Sequence, residues 1–297
     1  MTAPRLGPFE PRLHRLRRRR AAAGFAAAAF LHARVAEDLA ERLEAIPRPF
    51  PRALALGGAG LFSGAIERRP ELAQRIGAVI EADIAGAALT IDPERLPFAD
   101  AAFDLIASPL LLHWVNDLPG ALIQLRGALK PDGLLLAGLF GAETLKELRL
   151  SLLEAESELT GGAGPRVAPF ADLQALAHLL QRAGFALPTA DRDLIIVRYG
   201  EPMRLLQDLR AMGETAALSD RSPRALSRRI LARAFEIYAE RFSEPDGRIR
   251  ATFEVITLTA WAPHQSQPKP LKPGSANTRL ADALGVKEHK TGDKAGP

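Results

Sequence analysis

Three groups of residues have the types and order that a nucleotide-binding sheet edge needs: the run Gly57-Gly58-Ala59-Gly60, then Asp83, then Asp92 followed by Pro93. Glycines between a strand and a helix let the backbone approach a ligand, and the helix that follows offers free amides. Taken alone, the glycine run equally suits a tight strand-to-helix turn. Asp83 closes an apolar run, a position from which a carboxylate accepts hydrogen bonds from both hydroxyls of a ribose. Its other reading is a helix N-cap before residues 84–88. Asp92 stands where Pro93 and Pro97 hold the backbone extended, suited to accept from an adenine amino group, or else simply to start a turn. In order, the three place a loop, a ribose acceptor and a base acceptor along one edge, and they predict a nucleotide-like ligand.

Ser108 and His113 follow the fourth apolar run and are the candidate catalytic residues. An imidazole titrates near neutrality and can serve as a general base. Packing and capping at the strand end is the other reading of His113 and its neighbour Trp114. The chain has six histidines and no cysteine, which removes disulfides, thiolate metal sites and cysteine nucleophiles together. His113, His264 and His289 lie far apart and no compact ligand spacing occurs, so no metal is expected.

The elements that must carry these residues read as a doubly wound α/β domain. Short apolar runs at 53–56, 78–82, 89–91, 103–107 and 133–140 alternate with helical stretches, including 118–129. Continuously apolar strands separated by helices argue for a parallel sheet covered on both faces. Helices are expected at 143–160 and 171–183, a strand at 194–199, helices at 202–212 and 223–242, and a last strand at 251–262. The helices between the last two strands read as an insertion that covers the site.

Three segments follow: a basic arm with an amphipathic helix at 1–50, the α/β domain at 51–262 with helical insertions at 143–160 and 202–242, and an extended tail at 263–297, poorly ordered after Gly285. Arg12, Arg15, Arg17, Arg18, Arg19 and Arg20 precede an alanine-rich stretch, which imitates an export signal. His32 and Arg34 interrupt that stretch, and Leu31, Val35, Leu39, Leu43 and Ile46 continue at helical spacing, so neither a cleaved leader nor a transmembrane segment is expected. The arginines form a solvated face or frayed arm, or else contact anionic lipid or an acidic protein surface. No aromatic residues interleave with them, so nucleic acid is not expected.

The segments Leu96 to Ser108, Leu112 to Pro119 and Leu129 to Gly133 resemble the class I S-adenosylmethionine methyltransferases. A longer match is narrower: residues 113–117, Phe140-Gly141 with Thr144-Leu145, Glu147-Leu148-Arg149, the loop before Pro169-Phe170, and the tail from Trp261 to Leu280 resemble the complex I assembly factor five group. A more distant likeness is to the malonyl-carrier methyltransferase of biotin synthesis. The resemblance implies a Rossmann-like, mostly parallel sheet of seven strands, S-adenosylmethionine as cofactor at its carboxyl edge, and transfer to a protein client, a complex I subunit. In that group the activity is described as arginine hydroxylation. It further implies a cytoplasmic location, or the mitochondrial matrix, with peripheral membrane contact through the arginine-rich start. Nothing in the spacing of residues speaks for hydroxylation.

One departure stands out. The family pattern has an acidic residue two before the first glycine, where this chain has Ala55, and the loop is one residue shorter. A charged hydrogen bond is worth ~1.5–3 kcal/mol, so its loss weakens a cofactor about tenfold or more. Either the remaining contacts suffice, or the protein keeps the fold and works by binding a client.

Overall fold

The computed structural model describes residues 7–221 and 226–268. The chain opens with three helices, α1 (Pro11–Ala21), α2 (Phe25–Ala28) and α3 (Phe30–Glu44), and then enters the sheet: β1 (Phe50–Leu56), α4 (Leu61–Glu67), α5 (Pro70–Arg75), β2 (Ile76–Asp83) and β3 (Leu89–Thr90). β4 (Phe103–Pro109), a single 3-10 turn at Leu112–Trp114, α6 (Leu118–Ala128) and β5 (Leu129–Phe140) follow. The remainder comprises α7 (Lys146–Thr160), α8 (Leu173–Arg182), β6 (Ala186–Tyr199), α9 (Pro202–Met212), α10 (Arg228–Phe242) and β7 (Ile249–Trp261).

The strands form one seven-stranded sheet in the order β3-β2-β1-β4-β5-β7-β6. β1 to β5 pair in parallel, while β7 runs antiparallel to both β5 and β6. The expected doubly wound, mostly parallel sheet is therefore the observed one. Its order reverses at β1, whose neighbours are β2 on one side and β4 on the other, and such a reversal opens a crevice at the carboxyl ends of those strands.

Alternation along the strands divides the core in two. Ala53, Ala55, Leu105, Ala107, Leu134 and Leu136 face α3, α4, α7, α9 and α10, and Leu54, Leu56, Ile106, Leu135 and Ala137 face α6 and α8. α3 belongs to the first of these cores, with Leu31, Val35, Leu39 and Leu43 buried as the helical spacing predicts. β6 begins at Ala186, eight residues before the expected strand. Residues 187–193 lack an apolar run because this is an edge strand with β7 as its pairing partner. Its carboxylates instead meet α3, Asp191 accepting from Arg42 Nη2 at 2.6 Å and Asp193 from Arg34 Nη2 at 2.9 Å. Residues 84–88 form bends instead of the helix that an N-cap at Asp83 requires, because Gly86 takes φ +81°. Of the expected tail, residues 263–268 are described and include a turn in which His264 N–H donates to Gln267 Oε1 at 3.1 Å. The rest of the tail, with the expected loss of order after Gly285, lies outside the described residues.

Leu39→Ala should test whether α3 is integral to the domain. Leu39 is fully buried, and truncation of such a side chain costs ~2–5 kcal/mol. Urea unfolding followed by sheet circular dichroism should shift by that amount in one transition, whereas a detachable arm would leave the sheet transition in place.

Candidate functional site

The glycine turn lies at the carboxyl end of β1, beside the reversal. Gly57, Gly58 and Gly60 all take left-handed backbone, with φ of +89°, +77° and +85°. A Cβ on Gly57 would meet Leu111 Cβ at 2.8 Å and one on Gly58 would meet Pro109 Cγ at 2.7 Å, whereas Gly60 faces open space. The first two glycines thus let the turn pack under the segment that follows β4, and all three supply the left-handed backbone that the turn needs. The carboxylate missing at Ala55 has a counterpart one strand away. Glu81 is the register partner of Ala55, and its side chain accepts from the Ser63 hydroxyl and the Gly60 amide. Burial pushes its carboxyl up, against the hydrogen bonds from Ser63 and Gly60.

Asp83 closes β2 as expected, but it is fully buried, and its Oδ2 accepts from Arg18 Nη2 at 3.1 Å. Its Oδ1 takes the Ile84 amide at 2.6 Å. Asp92 follows β3 and accepts from the Glu94 amide at 3.1 Å in a tight turn. Asp92 and Pro93 border a cavity of about 20 Å³ walled by His14, Arg15 and Trp114 among others, and Asp83 is not in its wall. That volume holds about one water, whereas small-molecule sites measure ~300–1,000 Å³. The two aspartates stand on the expected edge, and α1 lies against both, with Arg18 on Asp83 and His14 and Arg15 beside Asp92.

Ser108 is fully buried, and its hydroxyl donates to the Leu56 carbonyl at 2.9 Å, tying β4 to the end of β1 instead of facing an acceptor. His113 is buried between Phe140 and Phe170, with ring centroids at 4.7 and 5.0 Å. Its Nε2 lies 3.2 Å from Glu214 Oε2, an oxygen that also accepts from Trp114 Nε1 at 2.7 Å. The other oxygen, Oε1, has His32 Nε2 at 3.3 Å, not aligned for a hydrogen bond, and Arg18 Nη1 at 3.8 Å. Burial pushes the Glu214 carboxyl up, but the imidazoles of His113 and His32 outweigh it and hold the group well below the usual carboxylate range. Arg18 therefore bridges two buried carboxylates, Asp83 and Glu214, and also donates to the Met212 carbonyl at 3.0 Å.

Sequence spacing hid this cluster. His14, His32 and His113 come from three separate segments and converge only when α1 and α3 pack against the 3-10 turn. Among the described residues no group of histidines and carboxylates has the arrangement to hold a metal ion. Glu214 was missed because a buried carboxylate has no local signature. The signal nearest to it is Gly213, whose φ of +77° ends α9 and turns the chain inward.

Glu214 and Trp114 also line a cavity of about 260 Å³ between α7, the loop at 165–170 and α9. Phe140, Phe170, Phe253, Leu148 and Leu209 form its apolar wall, and Arg17 and Arg221 border it. Arg17 Nη1 donates to the carbonyls of Thr215, at 2.7 Å, and of Ala216. Of the two helices expected to cover the site, α9 borders this cavity through Leu206 and Leu209, and α10 contributes no residue to its wall.

A methyltransferase domain model matches residues 60–137. The YcgJ protein of Bacillus subtilis shares the fold, with a TM-score of 0.51 at 15% identity over 76% of this chain and 98% of that one. Sheet order, reversal point and glycine turn thus define a protein of the S-adenosylmethionine-dependent methyltransferase-like class. Human mitochondrial arginine-hydroxylase NDUFAF5 is 39% identical over 267 residues, 85% of this chain and 76% of that protein. The chain belongs to the NDUFAF5 family. A malonyl-[acyl-carrier protein] O-methyltransferase of Halorhodospira halophila is more distant, 34% identical over 78% of this chain and 81% of that protein.

Two predictions follow from the geometry. Gly58→Ala forces a Cβ into Pro109 at a left-handed position and should cost about 2 kcal/mol or more in urea unfolding; a neutral result would mean that the turn is not fixed by this packing. Burial pushes the His14 imidazole from 6.5 down to about 3, so between those values the unfolded chain binds a proton that the folded chain does not. Stability must then rise with pH across that window and fall away on acidification. His14→Phe should flatten the difference between unfolding midpoints near pH 7 and near pH 5.

Proposed function

We propose that this chain modifies an arginine side chain of a protein client, a respiratory complex I subunit, as an S-adenosylmethionine-dependent methyltransferase-like enzyme whose acceptor cavity ends on Glu214. The observation that carries this reading is the cavity itself: an apolar space with three phenylalanines and Trp114 in its wall and one buried carboxylate. A guanidinium is planar, weakly hydrated and always charged, so it stacks on aromatic faces and takes a carboxylate at its edge. Glu214 would hold the acceptor, the aromatic wall would exclude water, and His113, oriented by the same carboxylate, is the candidate to accept a proton. Ser108 has no part in this reading.

The relatives named arginine-hydroxylase support arginine as the residue acted on, and the malonyl-carrier relatives support methyl transfer as the chemistry of the fold. The relatives of the first group are named mitochondrial, which supports the matrix expectation. Among the described residues no helix is long and apolar enough to cross a membrane. A second reading, a client-binding assembly factor without catalysis, is favoured by two observations: the acid absent at Ala55, and the bond that Arg18 makes to Asp83.

Calorimetric titration with S-adenosylmethionine and its demethylated product separates the two. The enzyme reading expects binding that weakens about tenfold or more in Asp92→Ala and Asp83→Ala. No heat at millimolar cofactor, in the wild type and in Arg18→Gln alike, would select the client-binding reading. With an arginine-bearing client peptide, mass spectrometry of the product distinguishes an added methyl group from an added oxygen.

A further inference from the structure

The surface beneath α1 is built to receive guanidinium groups. Arg18 and Arg17 between them donate hydrogen bonds to Asp83 and to the carbonyls of Met212, Thr215 and Ala216, and Arg18 pairs with Glu214 at 3.8 Å, so five acceptor groups come from the ends of β2 and α9 and the segment after α9. The Arg18 guanidinium also stacks on Phe25 at 4.5 Å from the ring centroid. Arg17 borders the same cavity that Glu214 and Trp114 line. Two arginines of the chain's own first helix therefore stand where the function proposed above needs an arginine of a client.

The seating is costly as well as specific. Among the described residues, five of the six buried side-chain atoms without a hydrogen-bond partner lie here, His14 Nε2, both ring nitrogens of His32, His113 Nδ1 and Glu214 Oε1, the sixth being Tyr199 Oη. Buried polar atoms left unsatisfied cost free energy. The opposite face of α1 already carries Arg12, Arg15, Arg19 and Arg20 in solvent, so the helix loses little solubility on release. The segment before it is anchored separately, by Phe9 N–H donating to Asn116 Oδ1 at 2.8 Å and by Glu10 N–H donating to the Ala217 carbonyl at 2.7 Å.

We infer that the footprint of α1 is the docking surface for an arginine-bearing segment of the protein client, and that α1 is an internal stand-in which must withdraw before client or adenosyl cofactor binds. This rests on the function proposed above for the identity of the client and not for the competition itself. The client segment replaces Arg17 and Arg18 on the five acceptors. Withdrawal frees Asp83, and with it the space between Asp83 and Asp92.

The test uses the full chain and a fluorescent peptide copying residues 7–24. Arg17→Ala/Arg18→Ala weakens the internal competitor, so it should bind the peptide about tenfold or more tightly than the wild type does in fluorescence anisotropy. A peptide with alanine at both positions should lose that gain. In the wild type, saturating peptide should raise hydrogen exchange of the amides in 11–21, a measurement that does not depend on the variant folding. Equal or weaker peptide binding by the double variant overturns the inference, as does unchanged or increased protection of α1. Cofactor titration of the same variant keeps the two proposals apart: peptide binding without cofactor binding upholds the competition and removes the cofactor from the proposed function. Cofactor binding that leaves α1 protected does the reverse.

Discussion

Arg18 between Asp83 and Glu214 is the contact on which the arrangement of the site depends. Two carboxylates taken out of water in one region repel each other and lose hydration, and a cation between them offsets part of that cost. Asp83 ends β2 at the sheet edge and Glu214 lies in the turn after α9, so the guanidinium joins the sheet to the helices between its last two strands. α1 brings that cation, and Phe9, Trp114, Ala217 and Leu218 close a small apolar cluster beside it. Without α1 the edge would carry two buried acids, an open cavity and three histidines with few partners. With it, the edge is closed.

Closure also explains why the site contains neutral imidazoles. An ordinary histidine beside a carboxylate gains charge, but His14 and His32 are so deeply buried that desolvation dominates, and nearby Arg18 opposes protonation further. Positive charge in the cluster is therefore supplied by a guanidinium, which cannot release its proton, in place of histidine, which can. An arginine is the side chain best matched to such a place, whether it comes from α1 or from another molecule.

The sheet was legible because its signals are local. Apolar runs, proline and glycine punctuation and the spacing of Leu31, Val35, Leu39 and Leu43 each act over a few residues, and tertiary packing did not override them. The edge residues were legible in type and place, yet not in partner. His14, Arg18 and Ala21 do recur at helical steps and are the buried face of α1, but a face carrying histidine and arginine reads as solvated in any hydropathy pattern. Only the acids that meet it, one 65 residues away in sequence and the other farther still, turn it into an interior face. Early β6 was hidden for the converse reason: an edge strand needs few apolar residues, so 187–193 read as a loop.

The glycine turn carries the same lesson into the chemistry. Judged along the chain, the turn has lost its acid, since Ala55 offers no charge and the loop is one residue shorter. Judged across the sheet, a carboxylate is still present, because parallel pairing sets Glu81 beside Ala55 and its side chain reaches Gly60 and Ser63 at the start of α4. The substitution moves the charge by one strand and commits it to the protein's own backbone amide, where it stabilises the left-handed turn in place of organising a ligand's ammonium group. Fold and turn are thereby kept while one determinant of cofactor affinity is reassigned. On the function proposed above the adenosyl contacts would come from Asp83 and Asp92, and Asp83 is the residue that α1 holds, so under that reading control of α1 is control of the site.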